Sequence, residues 1–159
     1  LDKIREIHKG KKAVTESRVP QAPYSSEVLF VEMMAQTGGL LVGAESDYQK
    51  DVIFAKIESA TFTPVPDPGT PITIEATSDG LAAEGGWIEG VITSAGGTVA
   101  KAKLLLMSVG RLVPGSSKPI TFHDNFMNHF NVRAKVVPSA CGAESSPVGN
   151  EDAAGGQPS

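Results

Sequence analysis

The sequence predicts an α+β protein in which an antiparallel sheet wraps around one long central helix. Two observations support this prediction. Residues 28–42 are almost entirely apolar, small or glycine, with Glu32 among them, and a helix that is apolar on all sides must be buried. Beyond this stretch, four runs of alternating apolar and polar residues are separated by short turns rich in glycine and proline, which is typical of an antiparallel meander.

Two strands precede the helix. Residues 1–8 alternate apolar and polar, as a half-buried strand does, and residues 11–19 form the second strand after a turn at Gly10. Because a protein rarely begins inside a strand, we expect native residues before Leu1.

The central helix is predicted over residues 26–43. Ser25 or Ser26 is the expected N-cap, since a serine hydroxyl can accept a hydrogen bond from a free N–H of the first turn. Glu27 places a negative charge near the positive end of the helix dipole. Gly43 is a suitable residue for the end of the helix.

Four strands follow the helix, and their alternation indicates which side of each strand faces the core. In the first of them, Ile53 and Ile57 share one face, while Phe54 and Lys56 lie on the other. The predicted strands cover residues 52–63, 71–78, 87–94 and 98–109.

The chain divides into three parts. Residues 1–110 contain the predicted sheet and helix. Residues 111–137 form an extension, in which Phe122, Phe126 and Phe130 recur every four residues and predict a short amphipathic helix that packs through its phenylalanines. Residues 138–159 are rich in glycine, alanine, serine and proline, and we predict that this tail is disordered.

Composition excludes several classes of function. The chain has 159 residues and a net charge of −4, which argues against nonspecific nucleic-acid binding because such binding needs a basic face. The single cysteine, Cys141, excludes an internal disulfide. We expect the apolar run to be too short and too polar to span a bilayer, so we predict a cytoplasmic protein with no membrane contact. Three histidines, His8, His123 and His129, show no metal-ligand spacing, and no metal is expected.

Glu32 is the main candidate for chemistry. A carboxyl group inside a buried helix loses its hydration, which favours its protonated form, and Gln36 lies one turn later on the same face. A buried acid with a neighbouring amide is a plausible proton donor. One sheet face cannot cover a helix that is apolar all round, so a homodimer is predicted to complete the fold.

The residues around Glu32 resemble a known family. The segment VLFVEMMAQ, residues 28–36, resembles the central helix of the hot-dog-fold 3-hydroxyacyl-acyl-carrier-protein dehydratases. The strands and turns before and after this helix are similar to those of the family as well, so the resemblance extends over roughly residues 1–109.

The resemblance implies a fold and a reaction. Members of this family have a dimeric hot-dog fold and remove water from 3-hydroxyacyl chains on acyl carrier protein in fatty-acid synthesis, without a metal or redox cofactor. The resemblance implies that Glu32 is the general acid, with Gln36 beside it, and that the base is a histidine of the partner subunit. The resemblance also implies a homodimer, and it includes a trimer of dimers as a further oligomeric state. The expected acyl slot is lined by four residues: Met33, Met34, Phe54 and Phe62.

The acidic carrier protein should meet a basic rim. Candidates for this rim are Lys101, Lys103 and Arg111.

The sequence departs from the family at one place. The family carries its histidine in a His-Phe-Pro loop before the helix, and here no histidine lies between Thr15 and Glu32. Either this segment is deleted, or the histidine lies in residues that the sequence does not include. Three functions therefore stay open: a dehydratase, a noncatalytic module that binds acyl carrier protein or acyl thioesters, and a thioesterase in which the carboxylate activates water.

Overall fold

All the predicted strands and both predicted helices are present in the computed structural model, which describes residues 1–138. The predicted disordered tail therefore lies almost entirely outside the described residues. In chain order the elements are β1 (Lys3–His8), β2 (Lys12–Arg18), α1 (Ser26–Glu45), β3 (Asp51–Phe62), β4 (Pro71–Thr77), β5 (Gly85–Ser94), β6 (Gly97–Val109), α2 (Asp124–His129), a 3₁₀ turn (Val132–Lys135) and β7 (Val136–Val137).

The strands form a seven-stranded sheet in the order β3-β6-β5-β4-β2-β1-β7. The neighbouring pairs β3–β6, β6–β5, β5–β4, β4–β2 and β2–β1 are all antiparallel, as predicted. The exception is β7, which the sequence did not predict. It pairs in parallel with β1, with Ile7 opposite Val136. The extension thus adds a strand to the sheet.

The sheet curls around α1, and glycines allow the closest approach between them. A Cβ on Gly38 would lie 2.8 Å from Leu106 Cδ1 and 3.0 Å from Ile88 Cγ2, both on the sheet. In the other direction, Gly90 of β5 leaves room for Met34, whose side chain is fully buried. The core therefore lies between α1 and the concave face of the sheet.

The expectation that α1 is buried on all sides is wrong for the single chain. Val28 is 64% exposed, and Glu32 and Gln36 are exposed as well. The apolar composition of the helix does not distinguish the side that the sheet covers from the side that it leaves open. By length and composition α1 could cross a membrane, contrary to our expectation, but in this fold it is the core helix of the sheet.

Residues 111–137, which we call the strap, fold back across the open side of α1. The buried Asp51 carboxylate fixes the start of the strap, since it accepts hydrogen bonds from the backbone N–H groups of Leu112 (3.0 Å) and Thr121 (2.9 Å). Phe122 then packs against Gly43 and Tyr48. At its other end the strap joins the sheet through β7.

Gly43 and Gly39 lie one turn apart on α1 and are expected to respond oppositely to alanine. A Cβ on Gly43 would lie 2.5 Å from the buried ring of Phe122, whereas a Cβ on Gly39 would have no heavy atom within 4 Å. Gly43→Ala should lower the free energy of unfolding by about 1–2 kcal/mol, because overpacking outweighs the gain in helix propensity.

Gly39→Ala is the matched control. It should raise the free energy of unfolding by about 0.5–1 kcal/mol, because only the propensity gain remains. Urea denaturation of the two variants measures both values. Equal effects would contradict the close contact between the strap and α1 at Gly43.

Candidate functional site

Glu32 and Gln36 form a polar pair on the open side of α1. They are four residues apart, so they lie one above the other on the helix, and Gln36 Nε2 donates a hydrogen bond of 2.9 Å to Glu32 Oε1. This bond holds one carboxyl oxygen in place and leaves the other available. The predicted pair is therefore brought together, although in the single chain both side chains are exposed.

A cavity of about 360 Å³ lies beside this pair, between α1, the start of β3 and the strap. Its lining is mostly apolar and aromatic. The lining residues are Leu1, Glu32, Ala35, Gln36, Gly39, Val52, Phe54, Leu106, Thr121, Phe122, Phe126 and Phe130.

The polar groups of this cavity are concentrated at Glu32 and Gln36. Thr121 is the other polar lining residue, but its hydroxyl is already bonded to the Asp51 carboxylate at 3.1 Å. No lysine, arginine or histidine side chain is among the described residues that line the cavity. Such a cavity suits an uncharged apolar chain with one polar group near Glu32.

Asp51 is the most deeply buried carboxylate near the site. Its burial works to raise the pKa, but hydrogen bonds from the backbone of Leu112 and Thr121 and from the Thr121 hydroxyl outweigh this, so the pKa of Asp51 is below its usual value. These bonds favour the charged carboxylate that fixes the strap beside the cavity.

The four residues predicted to line an acyl slot lie in different places. Phe54 lines the cavity. Met34 is buried against Gly90 on the sheet, and Met33 is half-buried, with its backbone carbonyl accepting a bond from Thr37. Phe62, at the other end of β3, is not among the lining residues.

Sequence reasoning missed the contribution of the strap to this site. A short helix, α2, lies at the phenylalanine period, although only Phe126 of the three is inside it. A period within one segment does not indicate that the segment lies beside Glu32. No sequence pattern marked Thr121 as a residue of the cavity.

The N-terminus of α1 is not part of the cavity. Ser25 occupies the N-cap position, as one of the two predicted alternatives, but its side chain makes no capping bond and instead contacts the Glu27 carboxylate.

None of the three histidines lines the cavity, although His123 and His129 lie beside the lining residues Phe126 and Phe130. His8 lies 3.3 Å from the Glu6 carboxylate on β1. His123 Nδ1 accepts a bond from the Phe126 N–H at the start of α2, and His129 stacks edge-on against Phe130. Within residues 1–138, no group of three or more histidine, cysteine, aspartate or glutamate side chains could hold a metal ion.

Two of the three candidate basic residues are already engaged. Lys103 lies 2.7 Å from the Glu58 carboxylate and over the ring of Trp87. Arg111 donates to the Ser117 carbonyl at 3.2 Å. A partner that uses these residues would have to compete with those contacts.

Comparison with known proteins agrees with the resemblance. No family model matches the chain. Over 119 residues it is 29% identical to the 3-hydroxyacyl-[acyl-carrier-protein] dehydratase FabZ of Ligilactobacillus salivarius (strain UCC118), covering 67% of this chain and 85% of that protein.

Solved structures show the same fold at low sequence identity. The dehydratase heterocomplex ApeI:P from Xenorhabdus doucetiae matches with a TM-score of 0.56 and 14% identity, over 68% of this chain and 81% of that chain. A hypothetical thioesterase protein from Streptococcus pneumoniae TIGR4 matches with a TM-score of 0.56 and 18% identity, over 68% and 90%. A thioesterase from Haemophilus influenzae matches with a TM-score of 0.52 and 16% identity, over 67% and 77%.

These structural matches support the fold and leave the reaction open, because both dehydratases and thioesterases are among them. The predicted hot-dog architecture, a largely antiparallel sheet around one long helix, is confirmed. The chain is therefore a protein of the hot-dog fold, and its sequence is similar to that of a 3-hydroxyacyl-[acyl-carrier-protein] dehydratase.

Proposed function

We propose that this protein dehydrates 3-hydroxyacyl thioesters carried on acyl carrier protein to trans-2-enoyl thioesters. The observation that carries the proposal is the hydrogen-bonded pair of Glu32 and Gln36 beside an otherwise apolar cavity. The dehydratase relative and the family motif around Glu32 point to the same reaction.

The chemistry requires an acid at this position. The β-hydroxyl of the substrate is a poor leaving group until it is protonated, and the Glu32 carboxyl group would supply that proton. The bond from Gln36 would hold the carboxyl group in one orientation. A base must also remove the proton next to the thioester carbonyl. In the family this base is a histidine of the partner subunit.

A homodimer would complete the site. Strand β3 is at the edge of the sheet, and it carries the exposed apolar side chains Phe54 (43% exposed) and Ile57 (46%). Val28 of α1 is exposed as well. An exposed twelve-residue edge strand with apolar side chains is a natural site for pairing with a second copy. Such pairing would cover the open side of α1 and remove water from around Glu32.

A charge on the β3 edge is expected to prevent dimer formation. Ile57→Asp would place a carboxylate in the proposed interface, and sedimentation velocity should then show the monomer mass where the unmodified protein shows the dimer. Ala83→Asp is the control, because it adds the same charge in an exposed turn away from β3. If Ile57→Asp sediments like the unmodified protein, β3 is not the dimer edge.

The absence of a histidine between Thr15 and Glu32, where the family has its catalytic base, favours a second candidate function. A protein with Glu32 and the cavity but no base would bind acyl thioesters without converting them.

One assay separates the candidate functions. The unmodified protein is incubated with a 3-hydroxyacyl thioester on acyl carrier protein, and both enoyl thioester and free thiol are measured. Enoyl thioester supports the dehydratase. Free thiol would indicate a thioesterase, and binding without either product would indicate the binding module.

A further inference from the structure

We propose that Phe126 and Phe130 of the strap form the wall that limits the length of the acyl chain in the cavity beside Glu32. The inference rests on the proposed function and deepens it, because it assigns the choice of chain length to residues beyond the part of the chain that resembles the family. The strap thereby becomes a part of the substrate site.

The strap is fixed by residues other than these two phenylalanines. Before them, Phe122 is buried and packs edge-on against Tyr48, with ring centroids 5.0 Å apart. After them, Val132 is completely buried. Between these anchors Phe126 and Phe130 are only half-buried, and both line the cavity. Their aromatic surfaces are therefore available to a ligand.

The two rings present one continuous surface. Their centroids are 5.0 Å apart, with an angle of 52° between the ring planes, and Phe126 in turn lies 6.3 Å from Phe122. Neighbouring rings in this arrangement restrict one another's movement, so they form a defined wall.

The wall on α1 is formed by small residues. Gly39 is buried and lines the cavity, yet a Cβ built on it would meet no heavy atom within 4 Å. Ala35 lies one turn earlier on the same side. The width of the cavity is therefore set by the large rings on the strap and by the small size of Ala35 and Gly39 on the helix.

The distribution of polar groups in the cavity sets the orientation of a bound ligand. The Glu32–Gln36 pair would receive the hydroxyl and the thioester. Phe126 and Phe130 offer no hydrogen-bonding groups, so the part of the ligand near them must be an uncharged alkyl chain. Each methylene transferred from water to this surface should contribute about fourfold to affinity until the chain reaches the wall.

Binding of unreactive ligands tests the wall separately from the reaction. The probes are S-alkyl pantetheine thioethers of increasing chain length, which can be neither dehydrated nor hydrolysed, measured by titration calorimetry on the full chain. Phe126→Ala should move the limiting length to longer chains. Gly39→Leu, which fills the cavity from the opposite side, should move it to shorter chains. Met127→Ala is the matched control, because Met127 is half-buried on the same helix and does not line the cavity.

The outcomes distinguish this inference from the proposed function. Shifts in opposite directions for Phe126→Ala and Gly39→Leu, with no shift for Met127→Ala, support the wall even if the protein forms no enoyl thioester. The same limiting length in all four proteins overturns it, even if the protein is an active dehydratase. Absence of thioether binding to the unmodified protein also overturns it.

Discussion

Glu32→Gln is expected to lower the rate of enoyl-thioester formation by about 10²–10⁴-fold, the range typical for loss of one general acid. Glutamine has nearly the same size as glutamate, and it can still interact with Gln36. It lacks the acidic proton that the leaving hydroxyl needs. The substitution therefore removes the proton donor at this position and keeps the size and shape of the side chain.

Two further variants show whether the effect is specific. Glu27→Gln removes a carboxylate from the first turn of the same helix, away from the cavity lining, and should leave the rate close to that of the unmodified protein. Gln36→Ala should reduce the rate by about tenfold, as expected for the loss of one orienting hydrogen bond. Initial rates with a 3-hydroxyacyl thioester measure all three. An unchanged rate for Glu32→Gln would exclude Glu32 as the general acid.

Asp51→Ala is expected to lower the free energy of unfolding by about 3–5 kcal/mol. The Asp51 side chain is completely buried, and it accepts bonds from the N–H groups of Leu112 and Thr121 and from the Thr121 hydroxyl. Alanine would leave these donors without their acceptor. Since the bonds connect the start of β3 to the strap, the loss should appear both as lower stability and as faster amide hydrogen exchange in residues 111–137.

The control for this change is Asp79→Ala, an exposed aspartate in a loop, which should alter stability by less than about 0.5 kcal/mol. Urea denaturation measures the difference. If Asp51→Ala is as stable as Asp79→Ala, the buried carboxylate does not hold the strap in place.

The same residue predicts a dependence of stability on pH. Because the pKa of Asp51 is lower in the folded protein, its contribution is complete above the unfolded pKa of about 4 and is lost as pH falls through the folded value. The unmodified protein should therefore lose more stability than Asp51→Asn between neutral and strongly acidic pH. Equal losses would mean that Asp51 titrates alike in both states.

The elements of the main fold were predictable because their signals are local. Alternation along β4 and β6 and the long apolar stretch of α1 depend on neighbouring residues, so the predicted ends lie within about two residues of those in the structure. The central pair, Glu32 and Gln36, was predictable for the same reason, since their spacing alone places them on one face.

The environment of the pair was not predictable. The exposure of Glu32 depends on which side of α1 the sheet leaves open. Apolar residues such as Val28 lie on that side as well, so the helix pattern predicted burial on all sides. The strap depends on contacts between residues far apart in sequence, such as Asp51 with Thr121 and Ile7 with Val136. The phenylalanine period predicted α2 without indicating its position against α1.

The pairing of β7 with β1 joins opposite ends of the described chain, and this has a consequence for synthesis on the ribosome. Strand β1 is made before the other described elements, but its outer neighbour consists of Val136 and Val137 and is made only after the rest of the sheet and α1. Because nascent chains begin to fold from the N-terminal side, the sheet and α1 can assemble while β1 still has a free edge and the cavity lacks one wall. Among the described elements the strap then docks last, and its docking adds β7 to the edge of the sheet and completes the cavity.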